Sequence, residues 1–123
     1  MKLDEVLGEL DKVLMHPGRL LIVSLLFLFG PRKESEVVRA LGMSWGAFST
    51  HIKMLEREGY VVRKRVFTRR GYRTYVRLTE EGKTRYRRLV NVLRGLLKQL
   101  DELEGGQKRG REIPQDSSAT ISQ

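Results

Sequence analysis

The sequence has no cysteine, which excludes disulfide frameworks, thiolate nucleophiles and cysteine-ligated metal sites. Histidine is nearly absent as well, with only His16 and His51. His16, beside Pro17, reads as a helix-start residue, and His51 as a hydrogen-bonded structural histidine. No Ser/His/Asp grouping, paired carboxylates or glycine-rich phosphate loop is present, so an enzymatic reading has no residues to rest on, and no cofactor or metal is expected. Long apolar runs are also lacking. The longest, Leu20 to Phe29 broken by Ser24, is about half of what spans a bilayer, and no signal-peptide layout is seen. It reads as a buried core helix in a soluble, cytoplasmic protein with no membrane partner. Finally, acid is missing from one stretch: Arg63, Lys64, Arg65, Arg69, Arg70, Arg73 and Arg77 are the only charged residues between Arg63 and Arg77.

What is present fits one domain, since 123 residues can bury a modest core but not two. The net charge of +9 favours a polyanionic partner. Leu3, Val6, Leu7, Leu10, Val13 and Leu14 recur at helical spacing and predict a first helix ending before His16. Pro17 opens a second helix, apolar on nearly all sides, which Gly30-Pro31 stops. A third runs from about Glu34 to Leu41, turning Val37, Ala40 and Leu41 inward. After the turn Gly42-Met43-Ser44, a fourth helix begins at its cap Ser44 and ends at Gly59. In it Phe48, Ile52 and Leu55 face the core, leaving Gly46, Ser49, Thr50, Lys53 and Arg57 outward.

From Tyr60 the period becomes two, and Arg70-Gly71 is a plausible hairpin tip between two strands. Thr79 caps a last helix, with Glu80 and Glu81 in its first turn. There Tyr86, Leu89, Leu93, Leu96, Leu100 and Leu103 form a heptad seam, and the helix from Glu80 to Leu103 would reach about 36 Å. The seam can serve packing against the protein's own first helix or against a second chain. Glu104 onward is almost free of apolar residues and predicts a disordered tail over 104–123.

Three short helices followed by a two-stranded basic wing are the order of a winged helix-turn-helix. The stretches HPGRLLIV, LGMSWGAFSTHIKMLEREGYVVRK and RTYVRLTEEGK, over roughly residues 14 to 90, resemble the winged-helix regulators of the MarR and ArsR type, closest to the compact ones common in archaea. Trp45 departs from the small polar residue usual there, and Thr68-Arg69 from the acid that many MarR-type wings carry. ArsR metal sites do not carry over, their cysteines being absent. The resemblance implies a mainly helical α+β fold with a long C-terminal dimerisation helix. It also implies a homodimer built from terminal helices at about 1–15 and 80–103, within a domain spanning 1–103. Leu3, Leu7, Leu10, Leu89, Leu93, Leu96, Leu100 and Leu103 are the interface candidates. MarR-type relatives often bind small molecules near the dimer helices; no effector is named by this sequence.

A merely solvated helix face usually carries Glu and Lys, whereas Gly46, Ala47, Ser49 and Thr50 permit close approach to a groove, with Lys53 and Arg57 for phosphates. Trp45 can wedge against sugars or thymine methyls or simply staple the turn. Like charges across strands repel, so the basic hairpin calls for a counterion, with Arg65, Arg69, Arg70 and Arg73 the candidates. The expected function is a dimeric transcriptional regulator of double-stranded DNA, with the Ser44 to Arg57 face in the major groove and the wing on phosphates or minor groove. The alternatives are a DNA-coating architectural protein with little sequence preference, and a winged helix that meets an acidic protein or RNA.

Overall fold

The computed structural model describes residues 2–111. Its elements are α1 (Leu3–Glu9), α2 (Pro17–Phe29), β1 (Arg32–Lys33), α3 (Glu34–Leu41), α4 (Trp45–Arg57), β2 (Val61–Thr68), β3 (Gly71–Leu78) and α5 (Glu80–Arg111). This is a mainly helical winged helix, with an antiparallel sheet ordered β1-β3-β2.

Local chemistry sets the boundaries. His16 caps α2, its Nδ1 accepting from Gly18 N at 3.1 Å, with Pro17 in the first helical position. Ser44 Oγ accepts from Ala47 N at 3.1 Å and so opens α4. At the other end of α4, Gly59 takes φ 84°, Tyr60 N donates to Leu55 O at 2.8 Å and Gly59 N to Glu56 O at 3.1 Å. Such paired reversed bonds satisfy the last carbonyls of a helix and favour glycine at the left-handed position. Tyr60, carried inward by that turn, is buried.

The core joins Leu14, Ile22, Val23, Leu26, Val37, Val38, Phe48, Ile52, Leu55, Tyr60, Val61, Val76, Leu78 and Leu89. It draws on α2, α3, α4, the base of the hairpin and the first turns of α5, so α4 and the wing are set on one support.

Several expectations are corrected. The first helix stops at Glu9, because the Asp11 carboxylate accepts from Val13 N and Leu14 N at 2.9 and 3.0 Å and captures the backbone that would have continued it. Leu14 is thereby turned fully into the core. In α3 it is Val38 that is buried beside Val37, and Ala40 is exposed. Helix α2 is not covered on all sides, since Leu21, Leu28 and Phe29 lie open. A third strand, β1, pairs Arg32 with Val76 and Lys33 with Tyr75; two residues are too short to show a period. Residues 104–111, expected in the tail, continue α5, because extending a formed helix costs far less than nucleating one. The remaining tail, 112–123, lies outside the described residues.

Candidate nucleic-acid interface

Helix α4 divides sharply by face. Phe48, Ile52 and Leu55 are buried, while Ser44, Trp45, Gly46, Ala47, Thr50, Lys53 and Arg57 are exposed and Ser49 is half-buried. Thr50 Oγ1 donates to Gly46 O at 3.1 Å, which leaves its lone pairs outward as acceptors. Nothing approaches within 4 Å of where a Cβ on Gly46 would sit, so the first turn presents a shallow, open surface. Trp45 packs edge-on against Phe48, centroids 5.9 Å apart at 84°, yet stays 55% exposed. It staples the turn with one edge and keeps the remainder free. Arg57 donates to Met54 Sδ at 3.1 Å and lies 3.8 Å from the Glu58 carboxylate.

The packed side of α4 holds a different feature. The His51 ring lies 4.5 Å from that of His16, and a Cβ on Gly18 would come within 2.7 Å of His51 Nε2. His51 Nδ1 is buried and has no hydrogen-bond partner among the described residues, contrary to the hydrogen-bonded role expected of it. Burial first, then the neighbouring His16 and Arg19, hold its pKa below the usual value of 6.5.

The wing is a hairpin in full register from Val61↔Leu78 to Thr68↔Gly71, closed by Arg69 and Arg70. Thr68 Oγ1 donates to Gly71 O at 2.6 Å and accepts from Arg70 N at 3.2 Å, and Gly71 takes φ 98°, which suits the tight reversal. Its seven positive charges do not form one group. Arg63 Nε lies 2.7 Å from Glu34 Oε2, and its Nη1 3.6 Å from Glu56 Oε1, so one acid remote in sequence and one at the end of α4 hold it at the hairpin base. The Glu34 hydrogen bond, more than any other contact, raises its pKa. Arg65, Arg69, Arg70 and Arg73 have no such carboxylate among the described residues; Arg73 donates only to the Tyr72 carbonyl, at 2.9 Å. Two residues missed in the sequence stand among them. Phe67 and Tyr72 pair across the strands near the tip and are 72% and 59% exposed.

The interface leucines separate along the seam. Leu89 is 1% exposed and belongs to the chain's own core, and Leu10 and Leu93 pack against that core. Leu96 is half-buried, whereas Leu3, Leu7, Leu100 and Leu103 are exposed. Leu97, outside the seam, is exposed too. The heptad spacing thus serves intrachain packing in its first half and is left open in its second. An open cleft of about 550 Å³ between α1 and α5 is lined by Val6, Glu9, Arg87, Arg88, Asn91 and Val92, among others.

Among the described residues no helix is long and apolar enough to cross a membrane. Nor do three or more His, Asp or Glu side chains gather there to hold a metal ion.

Residues 19–97 match the family described as the winged helix DNA-binding domain. The chain belongs to that family, whose members bind DNA and are not enzymes. It is similar to a transcriptional regulator homologue from Pyrococcus horikoshii OT3, at 29% identity over 80% of this chain and 96% of that one, with a TM-score of 0.73. In fold it is similar to a transcriptional regulator from Thermotoga maritima, at 22% identity, 88% and 90% coverage and a TM-score of 0.53. It also shares its fold with overoxidized AbfR bound to DNA, at 20% identity, 85% and 79% coverage and a TM-score of 0.62. No curated protein matches the sequence.

Proposed function

We propose that this chain is a dimeric, cytoplasmic transcriptional regulator that reads duplex DNA with α4 and grips it with the wing. The observation that carries the reading is the pairing of an open, small-residue first turn on α4 with a wing tip whose arginines lack carboxylate partners among the described residues. Gly46, Ala47, Ser49 and Thr50 bring the helix close to base edges, with Trp45 against sugar or methyl groups. Ser44, Lys53 and Arg57 meet flanking phosphates, and Arg65, Arg69, Arg70 and Arg73 meet phosphates or the minor groove. The DNA-bound state of AbfR, which shares the fold, supports this. A second copy would cover Leu3, Leu7, Leu97, Leu100 and Leu103, exposed apolar side chains that cost free energy in water. A two-fold pair would set two reading helices about 34 Å apart, one turn of DNA.

Binding to a duplex should weaken steeply with salt, and replacing Arg69, Arg70 and Arg73 by Ala should lower the log–log slope by up to about 2.7, or 0.9 per phosphate released. An unchanged slope would remove the wing from the interface. Leu97→Asp with Leu100→Asp should convert a dimer to a monomer in light scattering, and a wild-type monomer at micromolar concentration would reject the dimer. The rival reading, a DNA-coating protein, is favoured by the abundance of backbone-seeking arginine. Equal affinity for promoter and random duplex would establish it.

A further inference from the structure

We infer that Phe67 and Tyr72 form an aromatic wedge that enters the DNA duplex at the minor groove and unstacks a base step there. This rests on the DNA-binding reading and adds to it a deformation of the target.

Phe67 and Tyr72 sit directly opposite each other, one residue pair short of the tip pair Thr68↔Gly71. Their ring centroids are 5.3 Å apart at 67°, an edge-to-face pair. The Arg65 guanidinium carbon lies 4.6 Å from the Tyr72 ring centre and stiffens the pair from the side of the base. Side chains alternate between faces along a strand, so Phe67 and Arg65 share the face of Val61 and Arg63. On that face Arg63 bonds to Glu34 of α3 and Glu56 of α4, so the aromatic pair lies on the same side of the hairpin as the helix-turn-helix. The tip stands about 16 Å beyond the Arg63↔Val76 pair, five residue pairs at roughly 3.3 Å each.

A cross-strand aromatic pair can serve hairpin stability alone, and this one contributes to it. That role does not account for so much exposed ring, nor for its surroundings. Arg69 and Arg70 form the turn itself, Arg65 shares the face of the rings, Arg73 lies on the opposite face, and no acid occurs between Arg63 and Arg77. An apolar projection with arginines at the turn beyond it and Arg65 behind it matches a groove walled by phosphates, with the rings directed at the stacked bases between them. Apolar wedges of this kind lever base steps apart, at a cost offset by the contacts that bent DNA gains. Pyrimidine–purine steps such as TA unstack most easily, so the wedge would also prefer sites carrying one beneath the wing.

The test uses the full chain and a short duplex with TA steps, 2-aminopurine replacing successive adenines and a dye pair at the ends. Phe67→Thr with Tyr72→Thr removes both rings and keeps strand-forming residues; circular dichroism and thermal melting establish that it folds. Wild-type protein should brighten 2-aminopurine at one position per half-site and shorten the end-to-end distance. The double variant should bind with the same salt slope, since the arginines remain, but roughly tenfold more weakly and without brightening or bending. Wild-type binding with neither signal, or equal signals from the variant, would overturn the wedge and leave the DNA reading intact. A wild-type chain that binds no duplex even at low salt would overturn both. Ring-dependent sedimentation with anionic vesicles, with no change in 2-aminopurine, would reassign the pair to a membrane surface and overturn the wedge.

Discussion

The base and the tip of the wing are built from the same kind of sequence, yet they do opposite things. At the base, Val61, Val76 and Leu78 are buried and Arg63 is held by Glu34 and Glu56. At the tip, Arg69, Arg70 and Arg73 have no carboxylate partner among the described residues, and two aromatic rings lie open. A run of like charges is therefore not a functional unit by itself. What separates its members is whether the fold brings an acid to them. The charge of Arg63 is bound into the architecture, while its neighbours at the tip have no acid beside them among the described residues.

Four perturbations would sharpen or break this contrast. The largest effect is expected at the base from Gly82→Ala, because a Cβ there would overlap the Tyr60 carbonyl oxygen, which is backbone and cannot yield. Chemical denaturation should show a loss of about 2 kcal/mol or more, in spite of alanine's better helix propensity. Next, Arg63→Ala should cost about 1–2 kcal/mol by the same measurement, since Glu34 is left largely buried without its partner. A third change, Arg70→Ala at the tip, should alter stability by less than about 0.5 kcal/mol while making the salt dependence of duplex binding shallower by about 0.9. If Arg63→Ala and Arg70→Ala gave the same pair of results, base and tip would not be distinct.

The smallest effect concerns pH and extends the contrast to α4, whose packed side holds His51. Its folded pKa lies below 6.5, so the unfolded chain takes up a proton first as pH falls. Stability should be full above about pH 6.5 and decline between there and the lower folded value, and His51→Gln should flatten that decline. Urea unfolding between about pH 5.5 and 7.5 checks it. A decline unchanged in the variant would place the titrating group elsewhere.

Much of the fold was legible because its boundaries are local. Ser44 and the turn at Gly59 act through bonds to residues three to five positions away, Pro17 through its fixed φ and missing N–H, and Thr79 opens α5 by accepting from Gly82 N, so their spacing can be read directly. The α4 core face was legible for the same reason, as Phe48, Ile52 and Leu55 follow one helical period. What escaped depends on distant partners. Nothing near Arg63 announces Glu34, and nothing near Leu89 says that its side of the seam belongs to the chain's own core. The break after α1 depends on Asp11 capping backbone in competition with an unbroken apolar period. Phe67 and Tyr72 could have been noticed, since alternation puts both rings and Arg65 on one face once the turn is fixed, but the eye is drawn to charge.

One hydroxyl has a larger consequence than its size suggests. Thr79 Oγ1 lies 2.7 Å from the Gly59 carbonyl, to which it donates, and accepts from Gly82 N at 2.8 Å, while Thr79 N donates to Tyr60 O at 3.0 Å. The end of α4, the last residue of the wing and the first turn of α5 are thus pinned at a single point. Helix α5 is tied to α4 and the wing twice, by Thr79 at its start and by Leu89 and Leu93 against the shared core, so a tilt of its distant leucines strains both attachments before it moves the helix alone.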